Sequence, residues 1–370
     1  MKIVIFGLTI SSSWGNGHAT IWRALCGGLA RRGHTIVFFE RDVPYYAAHR
    51  DLRDIPHGEL CLFGDWDQIA GVVRRHLSDA DVAIVTSYCA DARAASDLLF
   101  ESSIPLRVFY DLDAPVTLAR LAGGEEIEYL GSRGLRDFDL VLSYTGGRTL
   151  DSLKEALGAR RVAPLYGCVD PEAHRPVAPV PRFMCDLSYL GTYAADRQAA
   201  LNALFLEPAR RMPHHRFYIG GSQYPPQFPW ASNIHYVPHM PPQEHPPFFC
   251  SSRMTLNVTR QAMADMGYCP SGRLFEAASC GTPILSDWWE GLQTIFQPQR
   301  EILIVREGED VVRAIETSDR ELREMAAAAR DRVLREHTAD HRAVEMEARL
   351  TEAASCFQAA RQPVVSGMEA

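Results

Sequence analysis

The chain has 370 residues, a net charge of −8, 46% hydrophobic and 23% charged residues, a composition ordinary for a soluble globular protein and enough for two domains of roughly 150–200 residues. The acidic balance argues against a nucleic-acid partner for the surface as a whole, and no window approaches 18 uninterrupted apolar residues, so a membrane-spanning helix is not expected. Nine cysteines are dispersed without a C-x-x-C pair, which predicts reduced thiols in a cytoplasmic setting rather than disulfides or zinc.

The opening MKIVIFGLTI carries one lysine and a short apolar run that passes directly into a polar glycine loop. It reads as a first strand and lacks the features of a signal peptide. The loop Ser11 to Ala19 follows, then a helical stretch ATIWRALCGGLARRG and a second strand HTIVFFE. This is a βαβ unit whose tight loop brings backbone N–H groups to the carboxyl end of the sheet. Gly15-Asn16-Gly17 lacks the third glycine of a dinucleotide fingerprint. His18 is the candidate general base, since an imidazole can take a proton from a hydroxyl. Capping the helix or bonding a loop carbonyl is the competing structural role. The segment Glu40 to Tyr46 supplies charge and aromatic surface for a pocket, but a salt-bridged loop is the preferred reading.

Further strands are expected at Asp81–Thr86 and Arg107–Tyr110, the latter delivering Asp111-Leu112-Asp113. Strand alternation points both aspartates to the same side. Two carboxylates can hold Mg²⁺ or Mn²⁺ against a diphosphate, but no histidine or third carboxylate stands nearby. A general base or hydroxyl-binding role at Asp111 or Asp113 is therefore preferred, and no metal is predicted. Asp139–Tyr144 is the next strand, and Thr145-Gly146-Gly147-Arg148 after it reads as a turn before an anion site. After a last short strand at Val162–Tyr166, the proline-rich passage that follows predicts a stiff interdomain hinge.

In the second half, Cys185–Leu190 reads as a strand, Gly191-Thr192-Tyr193 as a turn, and about Ala195 to Met212 as a helix. Strands follow at Arg216–Gly220, around Tyr236, and at Met254–Val258. His235, His239, His245 and Cys250 match no zinc spacing. The stretch SGRLFEAASCGTPILSDWWEG runs from Ser271 to Gly291. Ser271 is an N-cap candidate, Arg273 falls in the first helical turn, Glu276 lies one turn on, and Gly281 stops the helix before a strand ending at Ser286-Asp287. A helix start beside an arginine attracts phosphate, and a carboxylate one turn in can accept hydrogen bonds from ribose hydroxyls. The plain alternative is an exposed Arg273–Glu276 pair at i, i+3 spacing. Glu301–Val305 reads as a last strand, and helices dominate from about Glu309.

FEAASCGTPILSD resembles the glutamate-alanine-x-x-x-glycine-x-proline signature of glycosyltransferases with the two-domain GT-B architecture. With LNVTR at 256–260 and WEGL at 289–292, it is most similar to the spore-maturation-protein-like (CgeB-like) branch. The resemblance implies an α/β fold of two Rossmann-like domains facing across a cleft, with a C-terminal helix crossing back. The expected parts are an acceptor domain at 1–168, a linker at 169–183, a donor domain at 184–337, and a returning helix and tail at 338–370. The implied activity is metal-independent transfer of a sugar from a nucleotide-diphosphate sugar, UDP- or dTDP-linked, to an acceptor hydroxyl, with no tightly bound cofactor.

Donor contacts are then expected from Gly191, Thr192, Tyr193, His239 and Met240, and from Asn257, Arg260, Ser271, Arg273 and Leu274. Glu276 is implied to bind the ribose, with Glu290 and Gly291 near the sugar. Arg260 and Arg273 form the expected diphosphate clamp. Acceptor contacts are expected from Trp14, Gly15, Asn16, Gly17, Arg41 and Tyr144, and catalysis from His18, Asp111 or Asp113. Many retaining relatives carry a second glutamate where this sequence has Tyr268, so stereochemistry is not carried over. A sugar-nucleotide epimerase and a non-catalytic nucleotide-binding protein of the same shape are the rivals, and the oligomeric state stays open.

Overall fold

Apolar runs at 3–6, 36–39, 82–85, 108–110 and 140–142 have no polar interruption, and all are buried, as befits parallel strands covered by helices on both faces. The computed structural model describes residues 1–361. Seven parallel strands form the first sheet: β1 (Lys2–Gly7), β2 (Thr35–Arg41), β3 (Gly58–Phe63), β4 (Val82–Thr86), β5 (Leu106–Asp111), β6 (Leu140–Ser143) and β7 (Val162–Pro164). Their order is β3-β2-β1-β4-β5-β6-β7. The second sheet has six: β8 (Cys185–Leu190), β9 (Phe217–Gly220), β10 (Ile234–Val237), β11 (Ser252–Asn257), β12 (Ile284–Ser286) and β13 (Leu303–Ile304), in the order β10-β9-β8-β11-β12-β13.

Strand order reverses between β1 and β4 in one sheet and between β8 and β11 in the other. A doubly wound sheet opens a crevice outside its carboxyl ends at such a point. The loops after β1, β4, β8 and β11 therefore face a common cleft.

The chain crosses between the sheets twice. The helix Ala339–Arg361 returns to the first domain, where Ala343, Met346 and Leu350 join a core containing Ile5, Trp22 and Leu25. Gly28 permits this approach, since a Cβ there would stand 2.4 Å from the Ala339 carbonyl oxygen. The two crossings are bonded to each other: Val169 N donates to His337 O at 3.1 Å and Ala339 N to Val169 O at 2.8 Å. The proline-rich passage is not a free hinge, because the second domain holds it. Val180 N donates to Ser251 Oγ at 2.7 Å, and Ser279 Oγ to His174 O at 2.5 Å. The tail at 362–370 lies outside the described residues.

The helix expected over about 195–212 is broken into a 3₁₀ turn at Ala195–Arg197, an α turn at Gln198–Leu201, a π turn at Asn202–Leu206 and an α segment at Glu207–Arg211. Pro208 has no N–H to give to the preceding turn, which forces the irregular register.

Candidate functional site

The loop after β1 is pinned from below. Glu40, fully buried at the end of β2, accepts hydrogen bonds from Thr9 Oγ1 at 2.8 Å, Ile10 N at 2.8 Å, Ser11 N at 2.9 Å and Ser11 Oγ at 2.5 Å. Beyond it, Asn16 Oδ1 accepts from Ala19 N at 3.2 Å in the first turn of the helix His18–Arg31, whose N-cap position is Gly17. His18 is the first residue of that helix. Its Nε2 lies 3.7 Å from Asp113 Oδ2, its Nδ1 is buried without a partner, and the Tyr88 ring stands edge-on at 5.6 Å. Tyr88 holds a positive φ of 62° in the loop after β4, and nothing in its sequence neighbourhood singled it out. Its signal is topological: it follows the strand beside β1 at the switch point.

Asp111 and Asp113 do not share a face. β5 ends at Asp111, and Asp113 already occupies the N-cap position of the helix Ala114–Ala122, so the alternation expected of a strand stops between them. Asp113 lines the cleft. Asp111 is wholly buried; its Oδ1 accepts from Asp113 N at 3.0 Å and its Oδ2 has no partner. Burial pushes the Asp111 pKa up to about 6.

The opposite wall comes from the second domain. Arg273 sits in the first turn of the helix Gly272–Ser279. Its Nε donates to the Leu190 carbonyl, its Nη1 to Asn257 Oδ1 at 2.8 Å, and its guanidinium lies over the Tyr189 ring at 4.9 Å. Gly191 makes room for it: a Cβ there would be 2.7 Å from Arg273 Nη2. Ser271 occupies the N-cap position but makes no side-chain cap bond, which leaves the first N–H groups of the helix to other partners. Arg260 donates through Nε to Asp196 Oδ2 at 3.0 Å, a partner 64 positions away that sequence spacing does not signal. Burial works against its charge, but Asp113 and Asp196 outweigh it and hold its pKa up.

Glu276 is buried and forms no exposed pair with Arg273. Its Oε2 lies 3.3 Å from His245 Nδ1 and 3.9 Å from His174 Nε2. Burial alone would raise its pKa; His174, His245 and Arg273 outweigh that and bring it down to about 2. Sequence spacing does not reveal either histidine in this role, since they are 102 and 31 positions from Glu276, and only folding brings them together.

These walls enclose a cleft of about 560 Å³, within the usual range for a small-molecule site. Residues 197–348 match a family model described as glycosyl transferase-like. A search of the curated proteins gives no match. Among solved structures, sucrose-phosphate synthase from Thermosynechococcus elongatus is similar with a TM-score of 0.72 at 12% identity, over 96% of this chain and 99% of that one. Anabaena HepE in complex with UDP and glucose gives 0.66 at 11% identity, over 95% and 100%. An alpha-glucosyltransferase in complex with UDP gives 0.69 at 13% identity, over 95% and 100%. The fold is GT-B.

The GT-B cleft gathers many of the expected residues. Gly15, Asn16, Gly17, His18, Asp113 and Tyr144 line it from the first domain. Gly191, Thr192, Tyr193, His239 and Met240 line it from the second, as do Arg260, Ser271, Arg273 and Glu276. Others fall outside it. Trp14 stacks on His49 at 3.6 Å and reaches His239 at 4.4 Å, closing the rim. Arg41 pairs with Asp91 at 2.9 Å, because β2 ends one strand away from the switch point. Asn257 supports Arg273 from behind, and Leu274 is wholly buried.

Glu290 and Gly291 serve the domain contact rather than the cleft. The Glu290 carbonyl accepts from Tyr268 N at 2.6 Å, and the Tyr268 carbonyl accepts from Gly146 N of the first domain at 2.9 Å. Gly291 and Gly147 both leave space for the Tyr268 ring. The residue that replaces the second glutamate is thus an interdomain contact. Trp289 is core, at 1% exposure. Arg197, unassigned from sequence, also reaches the cleft, as does Tyr46 of the Glu40–Tyr46 segment, for which a salt-bridged loop is the preferred reading from sequence.

Proposed function

We propose that this protein is a glycosyltransferase that moves a sugar from a nucleotide-diphosphate sugar to an acceptor hydroxyl. One observation carries the reading: Arg273, the helix start at Gly272 and Glu276 face, across one cleft, the His18–Asp113 pair. Arg273, Arg260 and the free N–H groups of that helix stabilise charge on the leaving diphosphate. Glu276 accepts hydrogen bonds from the ribose. His18, oriented by Asp113, takes the proton from the acceptor hydroxyl. The guanidinium groups supply the positive charge at the diphosphate, so transfer needs no metal there.

A UDP-sugar is the first donor to test, since two of the similar structures hold UDP; a dTDP-sugar is the second. The net charge of −8 favours a carbohydrate, lipid or small-metabolite acceptor over nucleic acid, although one similar alpha-glucosyltransferase is in complex with UDP-glucose and DNA. The motifs LNVTR and WEGL favour the CgeB-like branch. We assign acceptor binding to 1–168, the linker to 169–183, donor binding to 184–337 and the return to 338–370, in a cytoplasmic enzyme.

Calorimetric titration with UDP, dTDP, GDP and ADP, repeated on Glu276→Ala, tests the reading. Micromolar binding of one nucleotide, weakened about tenfold by the variant, is expected; that is about 1.4 kcal/mol. No nucleotide binding by the folded protein would overturn it.

A further inference from the structure

Three side chains from three separate segments meet behind the donor wall. His174 comes from the interdomain passage, His245 opens the helix His245–Ser251, and Glu276 lies in the helix Gly272–Ser279. Their exposures are 6%, 9% and 8%, and one ligand atom from each lies within 4.8 Å of the others.

Hydrogen bonding leaves this cluster unsatisfied. His245 Nε2 is 3.1 Å from the Met240 carbonyl oxygen. A carbonyl only accepts, so Nε2 donates its N–H there, and Nδ1 is the ring atom that faces Glu276. The Nδ1–Oε2 separation is 3.3 Å, yet Nδ1 has no aligned partner, and neither does either ring nitrogen of His174. Buried polar atoms left unpaired are costly and call for an explanation.

A cation supplies one. Ligand atoms about 2.0–2.2 Å from a tetrahedral ion stand roughly 3.4 Å apart, with lone pairs aimed at the ion and not at each other. The outer N–H of His245 on a backbone carbonyl is the usual second contact of a metal-binding imidazole. Two neutral imidazoles and one carboxylate make a donor set suited to zinc, with one position left open.

We propose that His174 Nε2, His245 Nδ1 and Glu276 Oε2 bind a divalent transition-metal ion of the zinc class. Its fourth ligand is water or a donor hydroxyl on the cleft side, where His245 and Glu276 both line the cavity. The ion clips the interdomain passage to the donor helix. Glu276 keeps its other oxygen for the ribose, and the diphosphate end needs no metal. The site stands on its own geometry and does not depend on the transfer reading.

The test uses the full chain stripped by chelation, titrated with ZnCl₂ by calorimetry and with CoCl₂ by visible absorption. One ion per chain, a tetrahedral cobalt spectrum and a raised Tm are expected. His174→Gln and His245→Gln should each weaken uptake by about a hundredfold, while Glu59→Gln, in the separate group Glu59, Cys61 and His76 whose ligand atoms also lie within 4.8 Å of one another, should not. No stoichiometric uptake, an octahedral cobalt spectrum, or uptake unchanged in both histidine variants would overturn the proposal. The cobalt spectrum of the parent protein decides even if a variant fails to fold. Titration of the stripped protein with UDP tests the nucleotide site separately.

Discussion

Asp113 Oδ2 lies 3.7 Å from His18 Nε2, at the starts of two helices that follow β5 and β1. That distance is beyond a formed hydrogen bond, and such contacts commonly tighten once substrate is bound. If His18 is the base, His18→Ala lowers kcat by about a hundredfold or more and leaves nucleotide affinity within a factor of about two. Asp113→Asn lowers kcat by about tenfold or more, by removing the carboxylate that orients the imidazolium. Initial-rate kinetics with UDP titration alongside checks both. A His18→Ala enzyme with the parent rate would remove the base assignment.

Gly191 and Arg273 are sterically linked. A methyl group at 191 would stand 2.7 Å from Arg273 Nη2 and 2.8 Å from Tyr189 Oη. Gly191→Ala should therefore shift the guanidinium and weaken UDP binding by about tenfold, close to the effect of losing one charge-assisted hydrogen bond. Arg273→Lys should do the same, since an ammonium cannot serve Leu190, Asn257 and a phosphate at once. Calorimetry with UDP reads both variants; unchanged affinity in both would place the diphosphate elsewhere.

Asp111 sets a pH dependence. Burial raises its folded pKa from 3.8 to about 6, so between those values the folded chain holds a proton that the unfolded chain has released. Stability from this group is greatest below the lower value, falls as pH rises through the window, and is flat above it. The full difference is about 3 kcal/mol. Asp111→Asn keeps an oxygen for Asp113 N and removes the charge. The Tm of the variant relative to the parent should climb between about pH 4 and about pH 6.5 and then level off. A difference that stays constant with pH would show that Asp111 is not the titrating group.

Tyr268 holds the domains together through two glycines. Gly147 has φ 57°, and a Cβ there would be 2.5 Å from the Tyr268 ring. Gly147→Ala should destabilise by about 1–3 kcal/mol through backbone strain and the lost fit. Gly71, inside the helix Trp66–Ser78, has nothing within 4 Å of its would-be Cβ; Gly71→Ala should stabilise by about 0.5–1 kcal/mol. Thermal melts of the two variants should move in opposite directions.

The sequence by itself determined most of the central strands and the helix that starts at Gly272, but not β3, whose run is interrupted by Glu59, nor the breaks in the 195–211 segment. Uninterrupted apolar runs mark buried parallel strands, and the motif around Glu276 marks the turn, helix and strand that form one wall. Residues adjacent in the chain, such as Arg273 and Glu276, could be read from spacing because helix geometry is periodic. Tertiary structure decided the rest. The approach of His174 and His245 to Glu276, of Asp196 to Arg260, and of Tyr268 to Gly147 joins segments whose separation along the chain carries no spacing signal. Asp111 and Asp113 show the same limit at short range: a strand that ends between them sends one carboxylate into the core and the other into the cleft, and only packing fixes where that strand stops.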